Sequence, residues 1–387
     1  METLCQKKRC NGCHACYNTC PVQAISMQPD EEGFLYPSID ESVCIHCGRC
    51  VQACPVQNPP SLHPMDITYI CRAKNEQEHM DSSSGGAFAV LARKVLEAGG
   101  VVFGAAFDEN QQVIHRAALR KEELTPLKGT KYVQSAIGDT YAQVRRYLEQ
   151  GRQVLFSGTP CQVAGLKCSL GGDHENLVCV DLICHGVPSP GIWRRYLEEL
   201  SKGEPITAVS FRNKERGMDH VTLDYTLKNG TVLWENYGES MYIKGFIQNL
   251  YVRPSCFDCR FKGTKRCSDL TIGDFWSAKE FHPDMASPYG VSAVLVHSEK
   301  GACWLERCRE DFVLQESSPQ KAAVWNEPLL APVEVSPNRD RFFQALETTP
   351  VIQAIKENLV KPPVPPRVGG TKRILQKMKG RIRRWLA

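Results

Sequence analysis

Two kinds of apolar spacing divide the chain. Near the start, Ala24-Ile25-Ser26-Met27 and Tyr36-Pro37-Ser38-Ile39 read as short strands on either side of the turn Asp30-Glu31-Glu32-Gly33. Asn58-Pro59-Pro60-Ser61 then reads as a linker. Beyond it, helical and strand periodicities alternate. Ser83-Ser84-Gly85-Gly86 opens a helix over about Ala87 to Ala98 that Gly99-Gly100 stops, and the apolar run Val101 to Phe107 follows as a buried strand. Asp139 caps a helix ending at Gly151, with strands predicted at 153–156, 177–183 and 291–296 and a helix at 192–200. From Thr207 to Glu235 the pattern turns to strand, with Leu223–Leu227 and Val232–Glu235 flanking Asn229-Gly230, a pair that predicts a type I′ hairpin. Helices are predicted at 300–311, 338–346 and 351–358. A Pro-rich break at 361–366 precedes a last helix. The alternation of strand and helix predicts an α/β body.

Length and charge refine this picture. A chain of 387 residues predicts more than one domain, and 42% hydrophobic with 23% charged residues is the balance of a globular protein. The chain holds no apolar run of about 18 residues, so no transmembrane helix is expected. Residues 1–9 lack the apolar core of a signal peptide, and a cytoplasmic location is expected. The net charge of +4 conceals an asymmetry: residues 361–387 hold nine Lys or Arg and no Asp or Glu, which leaves about −5 on residues 1–360. In that tail Ile374, Leu375, Met378, Ile382, Trp385 and Leu386 recur at helical steps between the basic residues. Such a basic amphipathic helix suits peripheral contact with the inner face of a membrane or docking on a partner, and a mobile tail or a helix packed on the body fits the pattern as well. No aromatic-rich basic groove accompanies it, so nucleic-acid binding is not expected.

The 19 cysteines carry the chemistry, and nine of them fall within the first 54 residues. Cys10-x-x-Cys13-x-x-Cys16-x-x-x-Cys20-Pro21 recurs as Cys44-x-x-Cys47-x-x-Cys50-x-x-x-Cys54-Pro55. Zinc knuckles use paired C-x₂₋₄-C units with four ligands per ion, which two copies of a four-cysteine run ending in Pro fit poorly. The repeat is instead the pattern of bacterial two-cluster ferredoxins, in which three thiolates wrap one iron–sulfur cube and the fourth ligates the other. Two [4Fe–4S] clusters are expected, one on Cys10, Cys13, Cys16 and Cys54 and the other on Cys44, Cys47, Cys50 and Cys20.

The chain as a whole, over about residues 1–300, resembles the coenzyme F420 hydrogenase/dehydrogenase beta-subunit family. The resemblance rests on Ser82 to Phe88, Gly129 to Ser135, Phe156 to Gln162, Cys184-His185-Gly186-Val187-Pro188, Arg253 to Cys259, and Asp269 to Trp276. It implies a bound FAD, iron–sulfur clusters and two-electron exchange with a soluble carrier, a deazaflavin in archaeal members. Read from the residues alone, Ser83, Ser84, Gly85 and Gly86 place hydroxyls and unhindered amides at a helix N-terminus, which suits a pyrophosphate. Without the resemblance, an ordinary Ser cap with glycines for a tight turn is the favoured reading of these residues. Thr130, Lys131 and Tyr132 offer a hydroxyl, a cation and a ring edge to the same cofactor, or form a plain loop. No G-x-G-x-x-G follows a predicted strand, so nothing points to a nicotinamide site.

Cys161, Cys184, Cys256 and Cys259 lie at turns and loops after strands, and with the resemblance they form a candidate third [4Fe–4S] site; buried free thiols are the alternative. Cys267 is a substitute ligand, whereas Cys71, Cys168, Cys179, Cys303 and Cys308 read as structural. His185 and Asp274 are candidate proton donors, though structural roles suit both, and no catalytic side chain is assigned.

The expected architecture is an α+β, ferredoxin-like domain at 1–60, a mixed α/β flavin-binding domain at 61–360, and a linker with a tail helix at 361–387. The expected function is that of an iron–sulfur flavoprotein oxidoreductase linking one-electron carriers, such as a ferredoxin or another redox protein, to an organic or deazaflavin-like substrate. The rival is a non-catalytic electron-relay subunit of a larger complex.

Overall fold

The computed structural model describes residues 4–65, 67–215 and 217–360; the tail helix expected after 361 lies outside them. Near the N-terminus, β1 (Ile25–Pro29) and β2 (Leu35–Ile39) form an antiparallel ribbon pairing Ile25 with Ile39. The turn between them is set by Asp30, whose carboxylate accepts from the amides of Glu32 and Phe34. Each half of the cysteine repeat adds one short helix, Ala15–Thr19 and Arg49–Gln52. A two-residue strand, β3 (His63–Pro64), leads out of the linker and pairs with β12 (Lys265–Arg266).

The body is one eight-stranded sheet. In chain order its strands are β4 (Ile67–Ala73), β5 (Val101–Phe107), β6 (Val113–Ala118), β7 (Val154–Gly158), β8 (Leu177–Leu182), β13 (Leu270–Asp274), β14 (Ser292–Val296) and β15 (Phe312–Ser317). Across the sheet they run β15-β4-β14-β13-β8-β7-β5-β6. β5, β7, β8 and β13 are mutually parallel and form the centre, while antiparallel strands close both edges. The central strands are buried along most of their length, as Val-, Leu- and Phe-rich parallel strands covered on both faces must be, and open only towards their carboxyl ends. One face packs the helices Ala87–Glu97 and Glu299–Arg307. Val90, Leu91 and Val95 are all fully buried there, about 1.5–3 kcal/mol each. The other face packs the helices Thr140–Glu149 and Pro160–Leu170, and its core continues without a break into Ala15, Ala53 and Val56 of the cysteine repeat.

A separate three-stranded sheet, β9 (Ile206–Asn213), β10 (Thr222–Leu227) and β11 (Val232–Asn236), packs with the helices Pro190–Ser201 and Met241–Ile247 around Trp193, Tyr196, Phe211 and Tyr242. Its hairpin departs from expectation. Only Gly230 of the Asn-Gly pair has a positive φ, +86°. The Leu227 amide donates to Thr231 and the Gly230 amide donates to Leu227, which makes a three-residue connection. Leu227 faces Ile206 across the bulged β9 pairing, so the strand keeps its buried alternation through the longer turn. Asp139 precedes its helix without capping it, because its carboxylate is taken by the Gln143 side chain.

The N-terminal part is fastened to the body by Arg253, which is 0% exposed. Its Nε donates to Cys10 O at 2.8 Å, and its terminal nitrogens donate to Gln134 Oε1 at 2.9 Å and Leu35 O at 3.0 Å. The guanidinium also stacks 4.2 Å from the Tyr36 ring. Arg253→Met leaves three buried acceptors without donors, a loss of about 3 kcal/mol or more. Amide exchange should quicken first around residues 10–36, ahead of the central strands; uniform or unchanged protection would contradict this fastening.

Two imidazoles are held neutral by burial. His115, between Ser135 Oγ and Ser157 O, is pushed down to about 4, and His297, between Thr271 Oγ1 and Pro64 O, to about 3. Both folded values lie below the unfolded one, so this stabilisation is full above pH about 6.5 and is lost as pH falls towards 4. For His115 alone the loss reaches roughly 3 kcal/mol. The urea midpoint should therefore drop between pH 7 and 4, and His297→Gln should flatten that drop.

Candidate functional site

Parallel strands direct their carboxyl ends to one edge of a sheet, where loops are free to build a site. β5, β7, β8 and β13 do so here, and a cavity of about 530 Å³ opens at that edge. Ala105, Ser157 and Gly158, Leu182 and Ile183, and Gly273 and Asp274 line it from the four strands and the turns after them. The expected cofactor residues converge on it from two directions. Ser83, Ser84 and Gly86 lie at the start of the helix Ala87–Glu97, and Thr130, Lys131 and Tyr132 approach from the segment that follows Leu127.

The roles of these residues differ in detail. Gly86 is the helix cap with a φ of +90°, a conformation glycine adopts without cost. Gly85 serves the back of the loop: a Cβ there would lie 2.3 Å from Cys71 O, and its amide already donates to Ser292 Oγ. The Ser84 hydroxyl donates to Val291 O, whereas Ser83 Oγ is buried with no partner and is the group left to receive a ligand. Lys131 Nζ donates to the carbonyls of Pro126, Lys128 and Gly129, and burial lowers its pKa to about 7. All three of its hydrogens are thus committed to shaping its own loop. An orphaned hydroxyl, the amides of the first helical turn and a nearby lysine fit a pyrophosphate-bearing cofactor, and the volume is in the range of ligand pockets.

Sequence reasoning missed several groups. Lys214, 2% exposed, donates from its ammonium to the carbonyls of His79, Ser84 and Tyr289, and so braces the serine loop from behind. Arg212 pairs with Asp274 at 2.8 Å and lies over Trp276, and all three line the cavity. Lys214 and Arg212 sit at the end of β9, in a separate sheet, and no local motif marks them. His185 also lines the cavity; its Nε2 meets Asn249 Oδ1 at 2.7 Å, and burial lowers its pKa. Both candidate proton donors, His185 and Asp274, therefore have protein partners.

The cysteines form three groups. Cys20, Cys44, Cys47 and Cys50 surround a cavity of about 380 Å³ walled by Val22, Ile25, Ile39 and Val51. Cys47 is exposed there, with Val43 and Ile45 exposed beside it. Glu41 and His46 also approach Cys44, both at the surface. Cys10, Cys13, Cys16 and Cys54 form a second, deeper group: Cys16 lies in the field of Cys10, Cys54 and Cys50, and burial pushes its thiol up to about 12. Cys5, outside the repeat and unmarked by it, hydrogen-bonds Cys10 and Cys54, and that contact lowers each of their thiols to about 6.

The third group is Cys161, Cys184, Cys256 and Cys259. Cys161 follows β7 in the first turn of its helix, Cys184 follows β8, and Cys256 lies in a 3₁₀ turn that Cys259 ends. Burial raises Cys161 well above the ordinary thiol range, and Cys259, Cys184 and Cys256 add to the shift. Burial likewise takes Cys184 to about 11 and Cys256 to about 12. Cys267 does not join them: it is buried in the second core, and its charged neighbours are Asp181, Lys167 and Cys168. The groups are linked in space, since Cys50 acts on Cys16 and Cys161 acts on Cys13. Cys184 of the third group also lines the large cavity. Soft thiolates in fours are the donor set of an iron–sulfur cube.

Residues 151–322 match the family described as the C terminus of the coenzyme F420 hydrogenase/dehydrogenase beta subunit. Residues 9–58 and 36–89 each match a 4Fe-4S dicluster domain. A tetrathionate reductase subunit of Archaeoglobus fulgidus is 46% identical over 50 residues, which cover 12% of this chain and 22% of that one. An uncharacterized protein of Methanocaldococcus jannaschii is 25% identical over 210 residues, 46% of this chain and 57% of its own length. The chain thus spans less than two thirds of either relative. An uncharacterized ferredoxin of the same organism is 33% identical over 55 residues, 14% of this chain and 70% of its own. A chain in the F420-reducing [NiFe] hydrogenase complex of Methanosarcina barkeri aligns over 76% of this chain and 91% of its own, with a TM-score of 0.46 and 16% identity. The chain thus carries, at residues 151–322, a C-terminal domain of the coenzyme F420 hydrogenase/dehydrogenase beta-subunit family, preceded by a 4Fe-4S dicluster domain at residues 9–58.

Proposed function

We propose that the chain is an iron–sulfur flavoprotein that moves electrons between one-electron carriers and a two-electron donor or acceptor. Its parts are a ferredoxin-like domain at 1–60, a flavin-binding α/β domain at 61–360 and a tail at 361–387. The observation that carries the reading is the sharing of one cavity: Cys184 lines the same 530 Å³ space as Ser83, Gly86 and Thr130. FAD, when bound, supplies chemistry in one- or two-electron steps, and [4Fe–4S] clusters supply single electrons.

The chain's own residues would prepare that site. Ser83 and the first helical turn hold the phosphates, with Lys131 as a nearby charge and Lys214 keeping the serine loop in place. Arg212, fixed by Asp274 and Trp276, presents a cation to the ring end of the cavity. Three cysteine groups, Cys20/44/47/50 at the surface, Cys10/13/16/54 within, and Cys161/184/256/259 beside the cavity, would hold three clusters. The exposed Val43, Ile45 and Cys47 give a ferredoxin or another redox protein a place to dock. The substrate at the cavity mouth would be an organic or deazaflavin-like molecule. Among the described residues, no helix is long and apolar enough to cross a membrane.

Protein purified without oxygen should contain one FAD and about twelve irons. Cys161→Ala should bring the iron to about eight and leave the flavin, and Ser83→Ala should weaken FAD retention roughly tenfold. Iron without flavin would instead favour the relay subunit, with turnover only after a second protein is added.

A further inference from the structure

A cluster that accepts an electron gains negative charge, so the charges fixed around it set how readily it does so. Three cations act on the third cysteine group: Lys262, three residues beyond Cys259, with Arg266 on Cys184 and Arg253 on Cys256. Lys262 Nζ donates to His185 O at 2.9 Å. Burial lowers its pKa and the Arg266 guanidinium acts in the same direction, while the Cys184, Cys259 and Cys256 sulfurs favour the charged ammonium. The lysine is half-buried, and the carbonyl it holds belongs to the residue after Cys184, so the hydrogen bond keeps the ammonium beside the cysteines instead of out in solvent. Cys184 and His185 both line the large cavity, so the cation is anchored to a residue of the wall that the cysteine group shares with the cavity.

We propose that Lys262 is the residue that raises the reduction potential of the third cluster, and that it does so through its charge, held in position by His185 O. The proposal rests on a cluster being present at Cys161, Cys184, Cys256 and Cys259. The step it concerns is the addition of one electron to that cluster, with no proton moved and no bond made or broken. A neighbouring positive charge in a poorly solvated site favours the more negative, reduced form, whereas a lysine with only a structural role leaves the potential unchanged. The inner group has a comparable neighbour in Arg253, which acts on Cys10 and also reaches Cys256, whereas Lys262 acts on the third group through Cys184, Cys256 and Cys259.

Dye-mediated titration of the whole protein with dithionite, followed by electron paramagnetic resonance, separates the alternatives. Lys262→Met and Lys262→Gln should both lower the potential of one cluster signal, the one abolished by Cys161→Ala. The expected shift is at least tenfold in the reduced-to-oxidised ratio at fixed potential, about 59 mV for one electron. Lys262→Arg should restore it, and the signals of the two N-terminal clusters should not move. Lys262→Gln keeps an N–H for His185 O without the charge, so a shift in Lys262→Met alone would overturn the proposal. So would unchanged potentials in both variants with about twelve irons retained. About eight irons in the unaltered protein, with Cys161→Ala spectrally silent, would remove the cluster reading itself and the proposal with it.

Discussion

A guanidinium stripped of water must be repaid by hydrogen bonds with good geometry, and Arg253 shows how much structure one such group can organise. Its three donors reach the backbone at Cys10, the backbone at Leu35 and the side chain of Gln134, while Gln134 in turn donates to Asn11 O. A cysteine loop, the ribbon beside it and the α/β body are therefore held by one network. Arg253 is also only three residues before Cys256, whose amide donates to Arg253 O. The residue thus lies in the backbone that carries one cysteine group and reaches into the loop that carries another. A lysine could not substitute, because a point charge lacks the planar fork that reaches three acceptors in different directions.

The cost of that arrangement explains the absence of slack nearby. An ideal Cβ on Gly165 would lie 3.0 Å from both Cβ and Sγ of Cys13, so the helix after Cys161 can approach the inner cysteine loop only because this position has no side chain. Arg339 grips Glu32 with both terminal nitrogens, and Ser189 donates to Glu32 O, which fixes the ribbon's turn on the opposite side. The N-terminal part is thereby pinned at several points over a shared core, and the relative position of the cysteine groups follows from packing. A loosely tethered module would leave those distances to chance.

Much of this was legible in the sequence, for identifiable reasons. The cysteine repeat is a local pattern in which spacing alone carries the chemistry, and the strands Val101–Phe107 and Val154–Gly158 announce themselves by continuous apolar runs. β4, β6 and β15 were not anticipated, because antiparallel strands at or next to the sheet's edges, with residues such as Arg72, His115 and Gln315, lack that run. The hairpin after β10 was misread because Asn-Gly favours a two-residue turn, whereas the pairing with β9 sets a register that a three-residue turn completes. At the cavity, Ser83 and Gly86 were visible from their place before a helix. Lys214, Arg212 and Lys262 were not, because a buried cation is recognised by its acceptors and those lie far off in the chain.

The same device recurs at the two buried cysteine groups, and it has a common physical origin. Arg253 donates to the carbonyl of Cys10 itself, and Lys262 donates to the carbonyl of the residue after Cys184. In each case the cation is anchored to backbone instead of to a carboxylate, so its charge is not cancelled locally and remains available to the sulfurs. Buried acids elsewhere are handled in the opposite way: Asp181 is raised by burial and hydrogen-bonded by Thr271 Oγ1, close to the Arg266 guanidinium. Positive charge unmatched by a carboxylate thus stands beside the two buried cysteine groups, whereas the guanidinium near Asp181 has an acid to face. The exposed group around Cys47 needs no such help, because water itself stabilises charge there.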